Sequence, residues 1–318
     1  MKLRIIATIT ILLALIVIIY KSVNLNQLTE NISRFPPILL YVALALAIVL
    51  TFIKTWRLRV LLKKNRIEPA FWPAYKLFIA SQALTALPGG EASRAYLVTK
   101  ETDASIHQAA TPVFLQAMLE LFSAISIVIF CSLFYTQLLA PGIIALVLMI
   151  SFVAIVTNAK ILTFLLNKGS RWELINSHQD RIVTIQKELV ASIFRSDSYL
   201  PSNAIVKAFT LGLLTNLVGG ILVKVIASGY DQNVSLFNSI FVYAGGVAIQ
   251  GLSTISPGGL GFTEGGMTGM LHLFGTSNAL EIVLIYRFVT FIFYTLIGLL
   301  FILLFYRKEL LFKKAKKE

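Results

Sequence analysis

The chain has 318 residues, with 28 Lys and Arg against 15 Asp and Glu for a formal net charge of +13; 57% of its residues are apolar and 14% charged. With a mean hydropathy of +0.81, so little polar surface cannot coat a soluble globule, and an integral membrane protein is the class that remains. The basic residues fall in blocks beside apolar runs, as the positive-inside rule expects, so the charge does not point to nucleic acid.

In chain order the apolar runs are Ile5–Tyr20, Ile38–Ile53, Val113–Phe134, Ile143–Leu166, Ala204–Ile226, Leu236–Ile255 and Ile282–Phe305. Each is about as long as the ~20 residues that carry a helix across ~30 Å of hydrocarbon, although the first is short. It follows Lys2 and Arg4 as a signal peptide would, but Ile18-Ile19-Tyr20-Lys21 holds no small residue for cleavage, so it reads as an uncleaved anchor. Lys54, Arg57, Arg59, Lys63, Lys64 and Arg66 follow the second run with no acid among them, and Arg307, Lys308, Lys313, Lys314, Lys316 and Lys317 follow the last. Both blocks are expected in the cytoplasm, against anionic headgroups. The polar segment 167–202 mixes Lys168, Arg171, Arg181, Lys187 and Arg195 with Glu173, Asp180, Glu188 and Asp197, and is expected inside as a helix along the surface.

Counting crossings from these anchors gives a topology. With the amino terminus inside, the first two runs return the chain to the cytoplasm at Lys54. Runs 113–134 and 143–166, joined by a tight turn near Pro141-Gly142, leave and re-enter. The segment 71–100, broken at Pro88-Gly89-Gly90, then enters from the cytoplasm and returns there. In the second half the hand is opposite: 236–278, broken at Pro257-Gly258-Gly259-Leu260-Gly261, starts and ends outside. The expected fold is an all-α polytopic membrane domain over 1–318, with about six full spans and two re-entrant broken-helix hairpins related as an inverted repeat. The half-repeats cover about 1–140 and 203–306, with breaks at 88–90 and 257–261, and 307–318 is a basic cytoplasmic tail.

Pro lacks the backbone donor and Gly reaches backbone angles that other residues avoid, so both breaks suit unwound chain lining a cavity. An ordinary surface loop would use the same residues. Ionisable residues inside such spans are expensive unless paired. Glu91 and Arg94 stand three apart after the first break; Glu264 follows the second; Glu120 lies mid-run, and Arg287 lies early in the last. These fit a structural ion-pair network, and equally a polar cavity in which Arg94 and Arg287 attract a phosphate beside half-helix amino termini. Glu91, Glu120 and Glu264 would then orient the arginines, bind a cationic headgroup or carry protons.

The remaining polar landmarks are bland. Lys207 and Lys224 can snorkel from opposite ends of one span. Tyr20, Trp56, Trp72 and Tyr75 read as interfacial aromatics, and Cys131 reads as a packing residue. His107, His178 and His272 share no metal-site spacing, so no metal or other cofactor is expected. No P-loop, HExxH, GxSxG or CxxC pair occurs.

Three strings carry a resemblance: Leu87-Pro88-Gly89-Gly90-Glu91-Ala92-Ser93-Arg94-Ala95-Tyr96-Leu97, Ser256-Pro257-Gly258-Gly259-Leu260-Gly261-Phe262-Thr263-Glu264, and Tyr286-Arg287-Phe288-Val289-Thr290. In order and wide spacing they resemble the lysylphosphatidylglycerol synthase transmembrane region, also called the flippase-like domain family. The resemblance implies a lipid-translocating domain with two re-entrant helices, and points at Glu91, Arg94, Gly259, Gly261, Glu264 and Arg287. Where many relatives read Glu-Arg-x-x-Asp, this chain has Glu120-Leu121-Phe122-Ser123-Ala124 and keeps only the glutamate. The soluble aminoacyltransferase domain of the full-length synthases has no counterpart here, so aminoacyl transfer is not expected.

The expected function is a flippase-like carrier, not an enzyme, that moves a phospholipid or another polar-headed lipid, such as a polyprenyl or hopanoid type, between leaflets of a prokaryotic cytoplasmic membrane. Both termini are expected in the cytoplasm. Its partners are membrane lipids, with a lipid-synthesis enzyme as a further candidate and a homo-oligomer left open. The alternatives are a membrane transferase acting on a lipid-linked substrate, with Glu91 or Glu264 as general base, or a scaffold for a lipid-synthesis enzyme.

Overall fold

The computed structural model describes residues 30–64, 67–85, 92–158, 164, 202–252 and 257–306. Among the described residues the regular structure is helical throughout. Helix α1 spans Pro37–Lys64, α2 Phe71–Thr85, α3 Ala92–Glu101, α4 Ile106–Ser132 and α5 Leu139–Thr157. After them come α6 Ser202–Ser228, α7 Leu236–Leu252, α8 Phe262–Leu273, α9 Ala279–Arg287 and α10 Phe293–Phe301. A π-helical turn, Phe288–Ile292, joins α9 to α10, and a second, Ile302–Tyr306, follows α10. Four of these stretches are long and apolar enough to cross a membrane: Pro37–Lys63, Gln108–Ser132, Asn203–Ser228 and Ala279–Tyr306, while α5 and α7 supply shorter apolar helices. The protein is an integral membrane protein of all-α class. The run Ile5–Tyr20, most of segment 167–202, the first break at 88–90 and the tail 307–318 lie outside the described residues.

Several boundaries differ from the sequence reading, each for a local reason. The second span does not end at Ile53: no Gly or Pro interrupts Lys54–Lys64, and the helix runs on to Lys64. The third begins well before Val113, because Ser105 caps it, accepting from the Gln108 N–H at 3.3 Å while Gln108 Oε1 accepts from the Ser105 N–H at 2.9 Å. Pro141-Gly142 is no turn but lies in the first turn of α5, where a missing N–H deprives no carbonyl. The chain reverses instead at 133–138, through a 3₁₀ turn at Thr136–Leu138.

The chain divides into two compact units. Unit 1 comprises residues 1–52, 75–93 and 215–318, and its core gathers Val223, Ile226, Tyr243, Met267, Leu271 and Ile282 from α6 to α9. Here α7 packs on α8, and α8 on α9. The backbones of α2 and α10 nearly touch: a Cβ at Gly298 would stand 2.5 Å from the Ile79 carbonyl oxygen and 2.8 Å from the Ala83 nitrogen. Tyr75, expected at the interface, is half-buried; its ring stacks on Phe52 and its hydroxyl lies 3.4 Å from Thr51 Oγ1, which also lies 3.5 Å from the Tyr294 hydroxyl. Trp56 and Trp72 are exposed, as interfacial aromatics are.

Unit 2 comprises residues 53–74 and 94–214. Its small core packs Leu61 of α1 against Leu115 and Leu119 of α4 and Ala208 of α6, and α5 folds back on α4. On α6, Lys207 of this unit and Lys224 of unit 1 are both exposed.

Candidate functional site

The second break lies wholly in unit 1. Ahead of α8 the described chain makes a 3₁₀ turn, Pro257–Gly259, and Gly258 and Gly259 within it and Gly261 after it take φ of 59°, 70° and 85°. Side chains rarely adopt those angles. At Gly258 a Cβ would also press to 2.5 Å from the Phe291 ring, so both the angle and the space demand glycine.

Two side chains hold the break in place. Glu264 is the third residue of α8, and its Oε2 accepts from the Gly261 N–H at 2.6 Å, the carboxylate half of a capping box. Its Oε1 accepts from Arg287 Nε at 2.6 Å, and Arg287 Nη2 donates to the Gly258 carbonyl at 2.8 Å. The Arg287 guanidinium also lies over the Phe291 ring, 4.6 Å from its centroid. Pair exposure is slight, 6% for the Arg287 side chain and 17% for Glu264. Both carboxylate oxygens are engaged, and the arginine clasps the carbonyl that the break would otherwise leave bare. The pair is electrically neutral and closed.

Unit 2 carries a different cluster. Glu120 lies at mid-helix, about 21 Å along α4 from Ile106 and about 18 Å from Ser132. Lys54 Nζ reaches its Oε1 at 2.7 Å, and Arg57 Nη2 pairs with its Oε2. Arg57 is fully buried and is the largest side chain to be so among the described residues. Its Nε and Nη1 have no hydrogen-bond partner among the described residues. Gln116, one turn before Glu120, donates through Nε2 to the Lys54 carbonyl at 3.1 Å, tying α4 to α1. Arg94, on α3 and 8% exposed, lies near enough for its charge to act on Glu120.

Of the residues singled out in the sequence, the structure brings together Arg287, Glu264, Gly258 and Gly261 in unit 1, with Gly259 and Pro257 in the same turn. In unit 2 it sets Glu120 against Lys54 and Arg57, while Arg94 lies on α3 with 8% exposure. Glu91, Pro88, Gly89 and Gly90 lie outside the described residues, and with them the Glu91–Arg94 pairing. Among the described residues no group of His, Cys, Asp and Glu could hold a metal, and His272 is exposed.

Within the basic block after the second run, Lys54 and Arg57 turn to Glu120 at the middle of α4. Arg59 and Lys63 stay near the following turn, Arg59 Nε donating to the Pro69 carbonyl at 3.1 Å and Lys63 approaching Glu68 at 3.7 Å. The signal was in the helical period: Leu50, Lys54, Arg57 and Leu61 recur every three or four residues, so the two cations share a stripe with core leucines.

A family model for the lysylphosphatidylglycerol synthase TM region matches residues 5–298. The chain belongs to this family. No curated protein and no solved structure matches it. The lysylphosphatidylglycerol synthase TM-region match takes in both glycine-proline strings and both charge clusters, and it gives the protein a membrane, lipid-related role. In this member of the family, two of the cations around Glu120 come from α1.

Proposed function

We propose that the protein is a lipid carrier of flippase type, moving a polar-headed lipid, anionic or zwitterionic, between the leaflets of a prokaryotic cytoplasmic membrane, with both termini in the cytoplasm. It acts as a carrier and not as an enzyme, and membrane lipids are its partners. The observation that carries the reading is a glycine-lined helix break held by a buried Glu264–Arg287 pair beside a membrane-length helix. A chain with only a structural role in the bilayer gains nothing from unwound backbone and charges at that depth, whereas a carrier needs polar groups there to receive a headgroup. On this reading the break at 257–261 and its counterpart at 88–90 belong to two re-entrant hairpins of an inverted repeat, the arrangement that places a substrate site at the bilayer midplane. The lipid tails stay in the bilayer while the headgroup crosses.

The test is leaflet-resolved movement of fluorescent phospholipids in proteoliposomes, comparing the native chain with a folded Arg94→Ala, Arg287→Ala protein. Native protein should equilibrate at least one headgroup class between leaflets, and the double variant should slow it about tenfold or more, as loss of charge-assisted contacts implies. Absence of transport by native protein across anionic, zwitterionic and polyprenyl lipids, with and without a pH gradient, would sink the carrier. Product formed from a lipid-linked donor in the same vesicles would replace it with a transferase.

A further inference from the structure

The two charge clusters are not equivalent. In unit 1, Glu264 spends both oxygens on Arg287 and Gly261, and Arg287 is further occupied by the Gly258 carbonyl and the Phe291 ring. In unit 2, one carboxylate, Glu120, meets Lys54 and Arg57 directly and feels Arg94 as well. The other acidic residues described in unit 2, Glu68, Glu101 and Asp103, are exposed. Among the described residues of this unit, Glu120 is thus the one carboxylate that is not exposed, and it meets two cations.

Arg57 adds the second observation. A guanidinium has five N–H donors, and burying it without acceptors costs far more than leaving it in water. Arg57 is 0% exposed, yet Nε and Nη1 find no acceptor among the described residues. The α6 backbone packs closely beside Nη1. Gly212 of α6 sits where a Cβ would be 3.3 Å from Nη1 and 2.7 Å from Ser123 Oγ. Ser123 Oγ donates to the Glu120 carbonyl at 2.9 Å, which fixes this hydroxyl on the same turn as the carboxylate.

We propose that Arg57, with Lys54, forms a phosphate seat in unit 2, and that Glu120 holds the two cations in position and gives way when the anion arrives. The seat takes a tetrahedral phosphate, of a phospholipid headgroup or free in solution; its free donors on Arg57 and the ammonium of Lys54 match phosphate oxygens. This rests on the carrier reading for the expectation that the phosphate belongs to a lipid, and it assigns the headgroup anion to unit 2, leaving Arg287 as the residue that positions the break in unit 1.

The test is calorimetric titration of the full chain in detergent with three probes: short-chain phosphatidylglycerol, inorganic phosphate, and short-chain diacylglycerol, which lacks the phosphate. Phosphatidylglycerol should bind and diacylglycerol should not; binding of inorganic phosphate with equal affinity would mark a soluble anion as the ligand. Arg57→Gln should weaken binding by about tenfold or more, and Glu120→Gln, which frees both cations, should tighten it by about threefold or more. Lys224→Gln, an exposed change of the same charge on α6, should leave affinity unaltered. If Arg57→Gln does not fold, the Glu120→Gln direction decides, because a purely structural cluster would not tighten. No binding of either phosphate probe, equal binding by folded Arg57→Gln, or weaker binding by Glu120→Gln overturns the seat. Lipid transport without such binding removes the seat and keeps the carrier, while binding without transport does the reverse.

Discussion

At the scale of single residues, Glu264 and Arg287 form a mutually dependent pair. Removing one partner leaves the other charge buried and unpaired, which costs about 3–5 kcal/mol, whereas removing both replaces a charge pair by neutral groups at much lower cost. Glu264→Gln and Arg287→Gln are each expected to lower the midpoint of thermal unfolding in detergent strongly. The double variant is expected to lie well above the sum of the two losses. Additive losses would show that the two side chains stabilise the break independently. Arg57 belongs to the same class of residue, but its unfilled donors give its substitution a consequence for binding as well as for folding.

At the scale of elements, glycines separate into those that fill a role and those that merely occur. Gly298 has two backbone atoms of α2 within 2.8 Å of the place where a Cβ would stand, whereas Gly265 and Gly269 on α8 have nothing within 4 Å. Gly298→Val is therefore expected to cost about 1–3 kcal/mol by forcing α10 from α2. Gly265→Ala and Gly269→Ala are expected to be neutral, or stabilising by up to about 1 kcal/mol from helix propensity. Unfolding midpoints of the three variants check this, and comparable losses would contradict the packing. The same scale explains what was legible in the sequence. The helix break at 257–261 was readable because three of its five residues are glycines that set their own backbone angles, and Glu264 was readable from its offset behind Gly261. The burial of Arg57 and the inward turn of Lys54 were not readable, because composition and charge order assign a basic block to the cytoplasm. Only a partner 63 residues on from Arg57, Glu120, turns the arginine inward. Pro141-Gly142 misled for a related reason: the same pair closes a turn or opens a helix, and here it lies in the first turn of α5.

At the scale of the whole molecule, the crossing count assigns sides to loops that single-residue geometry leaves unassigned. The turn between α3 and α4 carries Asp103 and the turn between α6 and α7 carries Asn233, both exposed. Cys131 is buried at 2% exposure, so it is a quiet background for labelling. Asp103→Cys is expected to react with a membrane-impermeant maleimide only from the cytoplasmic face, and Asn233→Cys only from the outer face. Reaction of both from one face would overturn the opposed hairpins while leaving the four membrane-length helices untouched.

The π-helical turn at Phe288–Ile292 winds one extra residue into the last span. Arg287 and Gly298 stand eleven residues apart; in an unbroken α-helix that spacing would stack them within about 20° of one another, and the inserted residue swings them roughly a quarter-turn apart. One rod thus points in two compass directions. Its first half addresses Glu264, and its second half addresses α2. Any single periodicity laid along 282–305 blends the two stripes, which is why the run reads as evenly oily from end to end although each half has a face of its own.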